Sequence, residues 1–373
     1  MVMKNPFVTN GYAGPEYFCD RMEETQHITE MLTNENNMAL ISPRRIGKTA
    51  LIHHCFAQPV IQKDYYTFII DIYSTNSVSD LVNMFGKAII DALRPKGRSA
   101  WEKFLIALSS LRSEISFDIN GAPVWGIGIG NIVNPEITLD EIFSYINQAD
   151  KPCLVAIDEF QQIGYYPEKN MEAILRTYIQ KCSNANFIFS GSERHLISKM
   201  FSEKAHPFYN SADMMNLEVI PLDKYKEFAI RLFGKFDKKI KEKAIEQVYQ
   251  AFGGNTYYMQ KVMHEAFNQT VPQAEADCEM IEGIIHALVL DNDHKFSEIL
   301  SRLTLPQKEL LYAVAKEGMA SQITSSGFVK KHRLRSASSV QSAVKKLLEY
   351  HLISTSQSAY YIDDQLMNLW LKE

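Results

Sequence analysis

The sequence has no CxxC pair, and its five cysteines, Cys19, Cys55, Cys153, Cys182 and Cys278, are an odd number. This excludes a disulfide framework and a cysteine zinc site, and leaves reduced cytosolic thiols as the expectation. No apolar run approaches the roughly 18 residues that cross a bilayer. The opening MVMKNPFVTNGY has no apolar h-region, so neither leader nor anchor is expected and the chain reads as cytoplasmic, with no membrane partner. Charge of one sign is scarce too. With 39 Lys and Arg against 44 Asp and Glu, the formal net charge of -5 is too small to suit a protein that coats nucleic acid or a membrane surface. Internal repeats and low-complexity linkers are lacking. His264-Glu265 lacks the second histidine of a zinc protease, because Asn268 stands four residues on. What remains is ordinary globular composition, 46% hydrophobic and 22% charged over 373 residues, enough chain for two or three domains.

From the front, Asn5 to Thr33 has turn residues up to Pro15 and then a helical pattern of Phe18, Met22, Ile28 and Leu32. Apolar Met38 to Ile41 reads as a strand that runs into SPRRIGKT, Ser42 to Thr49, and on into an apolar-periodic helix. Further strands are expected at Thr67 to Tyr73, Cys153 to Asp158, Phe187 to Gly191 and around Leu217 to Ile220, with a helix over Val78 to Leu93. Strands alternating with helices predict an α/β fold with a five-stranded parallel sheet. In an insertion near 113–131 the period drops to two: Ile115, Phe117 and Ile119 alternate before Asn120-Gly121, which predicts a β-hairpin. The glycines at 126, 128 and 130 lack the spacing and following helix of a dinucleotide fingerprint, and read as flexible strand.

From Asp223, expected to cap a helix through Phe233, the pattern is helical. A second helix from Lys238 to Phe252 is stopped by Gly253-Gly254, and strands are expected to vanish until the C-terminal stretch. There, helices at Pro306 to Lys316, around Gly327 to Lys331 and at Ser339 to Tyr350 precede a β-like tail from Ile353 to Ile362, the order of a winged helix-turn-helix. The expected parts are 1–221 for the sheet core, 222–302 for a helical lid and 303–373 for the winged helix.

A phosphate cradle needs inward N–H groups at a helix N-terminus, a lysine for the terminal phosphates and a hydroxyl for magnesium. Gly47, Lys48 and Thr49 supply these. Ser42, Pro43, Arg44, Arg45 and Ile46 before them and Ala50 after complete the candidate nucleotide-binding set. CLVAIDEF puts Asp158 at the end of an apolar strand, where it can join Thr49 in holding magnesium, and Glu159 beside it, where it can orient or deprotonate a water. Alone, the first motif is compatible with an ordinary βα turn and the second with a solvated strand end. The two in this order point to a P-loop NTPase of the class with an extra strand between the motif strands and a catalytic Glu, here Glu159 acting with Lys48.

In FIFSGSER, Ser190 and Ser192 stand where a polar group would contact the γ-phosphate or the water, although serine and glycine also simply end strands. Arg44 and Arg45 can offset phosphoryl charge, as can Arg194, for which an ordinary surface arginine is the alternative. A basic island of Lys330, Lys331, Arg333, Arg335, Lys345 and Lys346 lies in a stretch with no Asp or Glu between Glu317 and Glu349. The polar positions of its expected recognition helix are mostly Ser and Gln, which suits phosphate contact better than base reading. A protein-interaction module is the alternative.

Across NPF…PEYFCDRMEE, SPRRIGKTAL and LVAIDEFQQI the sequence resembles the archaeal-type ATPases, an AAA-related, STAND-like P-loop group, and the likeness runs on through FIFSGS, GGNTYYMQKV and the C-terminal winged helix. The resemblance implies ATP and Mg2+, a helical lid and a nucleotide-gated switch. It also implies that Phe18 to Arg21 lie near the adenine and Gly254 to Tyr257 near the lid side of the nucleotide. Three departures stand out: Ser42 for the leading glycine, Thr256 where the lid motif often has proline, and PFYNS, Pro207 to Ser211, without the arginine of a PLYGR-like stretch. The last puts an arginine finger from that segment in doubt. No fused nuclease is expected after the winged helix. The function expected is Mg-dependent ATP binding and hydrolysis driving a conformational switch. An ATP-controlled regulator binding duplex DNA and a non-hydrolysing nucleotide-binding scaffold are the alternatives, and a protein partner or a homo-oligomer stays open.

Overall fold

The chain packs as two units, Gly11–Glu218 and Met1–Asn10 with Val219–Glu373. The computed structural model describes residues 5–93, 115–117, 123–125, 135–356 and 358–373. In chain order the strands of the first unit are β1 (Met38–Ile41), β2 (Tyr66–Asp71), β3 (Ile115–Phe117), β4 (Pro123–Trp125), β5 (Cys153–Asp158), β6 (Ala185–Gly191) and β7 (Asp213–Asn216). Five of them form one sheet in the order β2-β5-β6-β1-β7, every pair parallel. This is the expected α/β sheet, and β6 is the extra strand between β1 and β5.

A central parallel strand is covered on both faces, so its residues are apolar without alternation. Accordingly β1 and β5 are buried at every position. On one face Ala39, Ile41, Val155, Ile157, Phe187 and Phe189 share a core. On the other Met38, Leu40, Leu154, Ala156 and Ile188 share a second. The first core ends in an aromatic cluster in which Phe189 meets Phe160 at 4.6 Å, Phe201 at 5.2 Å and Phe208 at 5.4 Å between ring centroids.

Several boundaries differ from expectation, each for a local reason. The fifth strand is Asp213–Asn216, not the Leu217 to Ile220 run. Among the described residues it is an edge strand paired with β1 alone, and it carries mostly exposed side chains, so its composition hides it. Leu217 is buried just after it, its N–H donating to Ile41 O at 2.8 Å. The first helix is Met22–Thr33; Phe18 falls outside it and Met22 is 73% exposed, because Asp20 and Arg21 are left-handed (φ 54° and 64°) and start the helix afresh. The insertion does hold an antiparallel pair, β3 with β4, joining Ile115 to Trp125 and Phe117 to Pro123. The Asn120-Gly121 turn and the glycines at 126, 128 and 130 lie outside the described residues.

The second unit opens with helix Leu222–Gly234, whose N-cap is Pro221; Asp223 lies in the first turn, where a carboxylate complements the helix dipole, instead of capping. The next helix begins only at Glu242, because Lys239–Ile240 (β8) pairs with Glu275–Ala276 (β9) in a short parallel ladder. Strands therefore do not vanish here, but a pairing between segments this far apart leaves no local pattern. Helices Thr256–Gln269 and Cys278–Asp291 follow. Asn5–Asn10 belongs to this packing: Phe7 is fully buried among Phe228, Phe233 and Phe267, and His264 Nδ1 bonds the Phe7 carbonyl at 2.9 Å.

The C-terminal part has helices Leu305–Glu317, Ser326–Lys331 and Ala337–Glu349, and strands β10 (Ala320–Ser321), β11 (Ile353–Ser356) and β12 (Ala359–Ile362) in the antiparallel order β10-β12-β11. This is a winged helix. These three helices have side-chain caps, Thr304 with Gln307 as a capping box, Ser325 and Ser336, and Asp364 caps a further helix, Gln365–Trp370. Among the described residues no helix is long and apolar enough to cross a membrane.

Truncating the centre of the aromatic cluster should be costly. Phe189→Ala is expected to lower the unfolding free energy by about 3–5 kcal/mol, read from the urea midpoint.

Candidate active site

Parallel strands bring their carboxyl ends to one edge of the sheet, and the crevice there is where α/β proteins take ligands. Here Ile41 is paired with Gly191, and Ile157 with Phe189, so Ser42, Asp158, Ser190 and Ser192 converge. The loop from β1 turns on two left-handed residues, Arg45 (φ 67°) and Gly47 (φ 98°), and Gly47 is the N-cap of helix Lys48–Phe56. Ser42 is not among the left-handed residues and precedes Pro43, which favours extended backbone. The missing leading glycine therefore costs no strain. Ser42 is buried and donates through Oγ to the Pro43 carbonyl at 3.0 Å.

Lys48 is buried, and among the described residues its Nζ reaches only the carbonyls of Ser42 and Pro43, at 3.4 and 3.3 Å. These long contacts are ones a phosphate oxygen can replace. Burial pushes the Lys48 ammonium below its ordinary value, against the pull of Glu159 and Asp158, with Arg44 adding to the depression. Thr49, the next residue, donates through Oγ1 to Asp158 Oδ2 at 2.6 Å, and Ser190 Oγ bonds the other carboxylate oxygen. Among the described residues no three His, Cys, Asp or Glu side chains gather as a metal site. One hydroxyl and one carboxylate suit magnesium, which takes most of its oxygens from substrate phosphates and water.

Glu159 has left-handed backbone (φ 56°), which turns the chain out of β5 into the 3-10 helix Phe160–Tyr165. Its Oε2 accepts from Gln161 Nε2 at 2.7 Å, Ser192 Oγ at 2.7 Å and Ser192 N at 3.2 Å. Arg44 Nε donates to the same Ser192 hydroxyl at 3.1 Å, and its guanidinium lies 5.8 Å from the Tyr73 ring centre. Of the other loop residues, Ile46 is buried in the core, Pro43 and Ala50 are half-buried and Arg45 is exposed. Arg194 is exposed on helix Arg194–Ser202.

Two residues read as adenine neighbours lie in the front segment. Phe18 stacks on His54 of the loop's helix at 4.2 Å, with Tyr12 OH bonded to His54 Nδ1 at 2.8 Å. Arg21 is buried, paired with Glu24 at 2.6 Å and bonded to the Glu218 carbonyl. Asp71 was not singled out from the sequence, yet it ends β2 in register with Asp158. Asp71 is solvent-exposed, but desolvation of its inner side raises its carboxyl, against the bond from the Tyr73 N–H and with Asp158 and Glu159 adding to the rise. Only strand register brings it here, and local pattern does not reveal register.

The departures in the other motifs also have local accounts. In PFYNS, Phe208 is core and Asn210 takes the left-handed φ of 52° that asparagine tolerates. Thr256 is the first residue of its helix, a position proline favours but does not require, behind an Asn255 cap on Tyr258 N. In the winged helix, Glu317 is bonded to Lys331 at 2.6 Å and His332 at 2.7 Å, and Glu349 to Lys346 at 2.8 Å. Lys330, Arg333, Arg335 and Lys345 are exposed.

A glycine-turned loop at a helix N-terminus with a buried lysine, and a hydroxyl bonded to a strand-end Asp that is followed by Glu, define a P-loop NTPase site. Residues 18–262 match the family described as an ATPase domain predominantly from Archaea, and the chain belongs to that family. Residues 294–373 match a probable winged helix domain. No curated protein matches the chain. Among solved structures it is similar to the Walker-type ATPase PABY2304 of Pyrococcus abyssi (17% identity, 99% of this chain and 100% of that one, TM-score 0.65). It is also similar to the Aeropyrum pernix ORC2 protein, solved in ADPNP-ADP complexes (11%, 99% and 98%, TM-score 0.58). A third likeness is to the ORC1 protein of the same organism in complex with DNA (9%, 96% and 93%, TM-score 0.51). At these identities the likeness is one of fold.

Arg21→Ala should remove a buried strut. The expected loss is about 1–3 kcal/mol of unfolding free energy, measured by denaturant titration.

Proposed function

We propose that this ATPase-family chain binds ATP with magnesium and hydrolyses it, and that nucleotide state drives a conformational switch read out by the winged helix. The observation that carries the reading is the 2.6 Å bond between Thr49 and Asp158, 109 residues apart, with Glu159 half-buried beside it. Thr49 and Asp158 would hold Mg2+, which when bound supplies charge neutralisation at the phosphates. Gly47 and the loop N–H groups from Ser42 to Ala50, Pro43 excepted, cradle the phosphates, and Lys48 brings its ammonium to them. Glu159 orients the attacking water and accepts its proton. Arg44 and Arg45 offer guanidinium charge, Ser190 holds the Asp158 carboxylate in place, and Ser192, bonded to Glu159, is assigned to the γ-phosphate or the water.

Phe18 and the Arg21 segment are assigned to the adenine side. In functional terms the division is a catalytic core to residue 221, a lid over 222–302 and the winged helix over 303–373, with the arm at Asn5–Asn10 packed in the helical unit. We read the protein as cytoplasmic.

Lys48→Ala is expected to abolish ATP binding in calorimetry. Glu159→Gln is expected to bind ATP like the wild type while magnesium-dependent phosphate release falls on the order of 100-fold or more. A Glu159 variant with undiminished turnover sinks the catalytic assignment.

A second reading, an ATP-controlled regulator that binds duplex DNA, is favoured by the exposed Lys330, Arg333, Arg335 and Lys345 of the stretch that carries no Asp or Glu in sequence. The ORC1 likeness, a structure solved with DNA, is in keeping with it. It predicts salt-dependent binding of duplex DNA in fluorescence anisotropy, lost when Lys330, Lys331, Arg333 and Arg335 are replaced by alanine. No binding at low salt removes it.

A further inference from the structure

Glu159 has two unlike oxygens. Oε2 takes all three donors, from Gln161 and Ser192, and Oε1 accepts no hydrogen bond from the described residues. A carboxylate anchored by one oxygen presents the other in a fixed direction. Gln161 is two residues on, and the left-handed turn at Glu159 followed by the 3-10 helix folds its side chain back onto its neighbour. Its amide has one sensible orientation, since rotating it would set an oxygen against the carboxylate.

The rest of the amide has nothing to gain from this place. Gln161 is 3% exposed, and its Oε1 is a buried acceptor with no partner among the described residues. Leaving such an atom unpaired is unfavourable. The residue is held there by what Nε2 does for Glu159.

Gly191 gives a second, independent sign. Its φ lies outside the left-handed region, so its backbone does not ask for glycine. A Cβ at this position would come within 2.1 Å of Gln161 Oε1 and 2.9 Å of Ile197 Cδ1. Both contacts are with the ends of flexible side chains, and the one with Gln161 is much the shorter, so a side chain at the end of β6 would displace the Gln161 amide first.

We propose that Gln161 is a positioning residue for Glu159, fixing through Oε2 the direction in which Oε1 meets the attacking water, and that Gly191 is a glycine to leave room for that amide. The inference rests on the hydrolytic reading above. It calls for magnesium-dependent ATPase kinetics and ATP calorimetry on the wild type, Gln161→Met, Gly191→Ala and the double variant. Methionine keeps the length and bulk of glutamine without the donor.

Both single variants should lose kcat roughly 10- to 100-fold, the scale of a reacting group misplaced by about 1 Å, with ATP affinity and KM held within about threefold. In the double variant Gly191→Ala should add less than about threefold to Gln161→Met, because the Nε2 donation to Glu159 that a displaced amide would lose is already absent. Retained ATP binding shows that the variants are folded. Wild-type turnover with kcat unchanged in Gln161→Met overturns the inference alone. A Gly191→Ala effect undiminished in the Gln161→Met background overturns it equally. Wild-type protein without turnover overturns the hydrolytic reading and this inference with it.

Discussion

The hydrogen bond from Thr49 to Asp158 closes the site, and the architecture around it serves to make that bond. Asp158 ends β5, while Thr49 lies in the helix that follows β1, and these strands are not neighbours, since β6 lies between them. Ser190 at the end of β6 bonds the second oxygen of Asp158 and fills the gap that the intervening strand creates. A carboxylate tied on both oxygens has little freedom left. The threonine in turn is delivered by a loop whose turn requires glycine only at its last residue, because Gly47 is left-handed and Ser42 is not. The loop therefore keeps its shape without its usual first glycine.

Beneath this edge the aromatic cluster around Phe189 joins the motif strands to the segments that follow them. Phe160 comes directly after Glu159, Phe189 directly precedes Ser190, and Phe201 and Phe208 come from the helix and turn beyond. Packing and chemistry thus alternate along the chain at single-residue spacing. A side chain that moves in the core has a catalytic candidate as its immediate neighbour, and dense interiors transmit such strain.

Much of this was legible in the sequence where the signal is local. The strand at Met38–Ile41 and the one at Cys153–Asp158 have the predicted limits, since a fully buried strand leaves an unbroken apolar run before its motif. The order of the winged helix was legible for the same reason: turns, caps and periodicity are short-range. What was hidden is what depends on partners far away in the chain. The edge strand Asp213–Asn216 borrows its order from β1, and the Lys239–Ile240 ladder borrows its order from Glu275–Ala276. At the site, Ser42, Lys48, Thr49, Asp158, Glu159, Ser190 and Ser192 carry motif signals and meet at one sheet edge. Asp71 comes to that edge by register alone, and Gln161 by the turn at Glu159, so neither has a signature that spacing could reveal. Glu317 and Glu349 bound the acid-free stretch in sequence and neutralise part of it in space.

The arm at Asn5–Asn10 makes the order of synthesis matter. Phe7 leaves the ribosome well before the partners that bury it, Phe228, Phe233 and Phe267, and before the His264 carbonyl that Asn5 bonds 259 residues away. At about 5–20 residues per second the arm waits on the order of tens of seconds, time enough for an α/β unit whose strands are already translated to fold around its own core. A segment made early is thus late to find its place, and until then a phenylalanine destined for complete burial is left without a core.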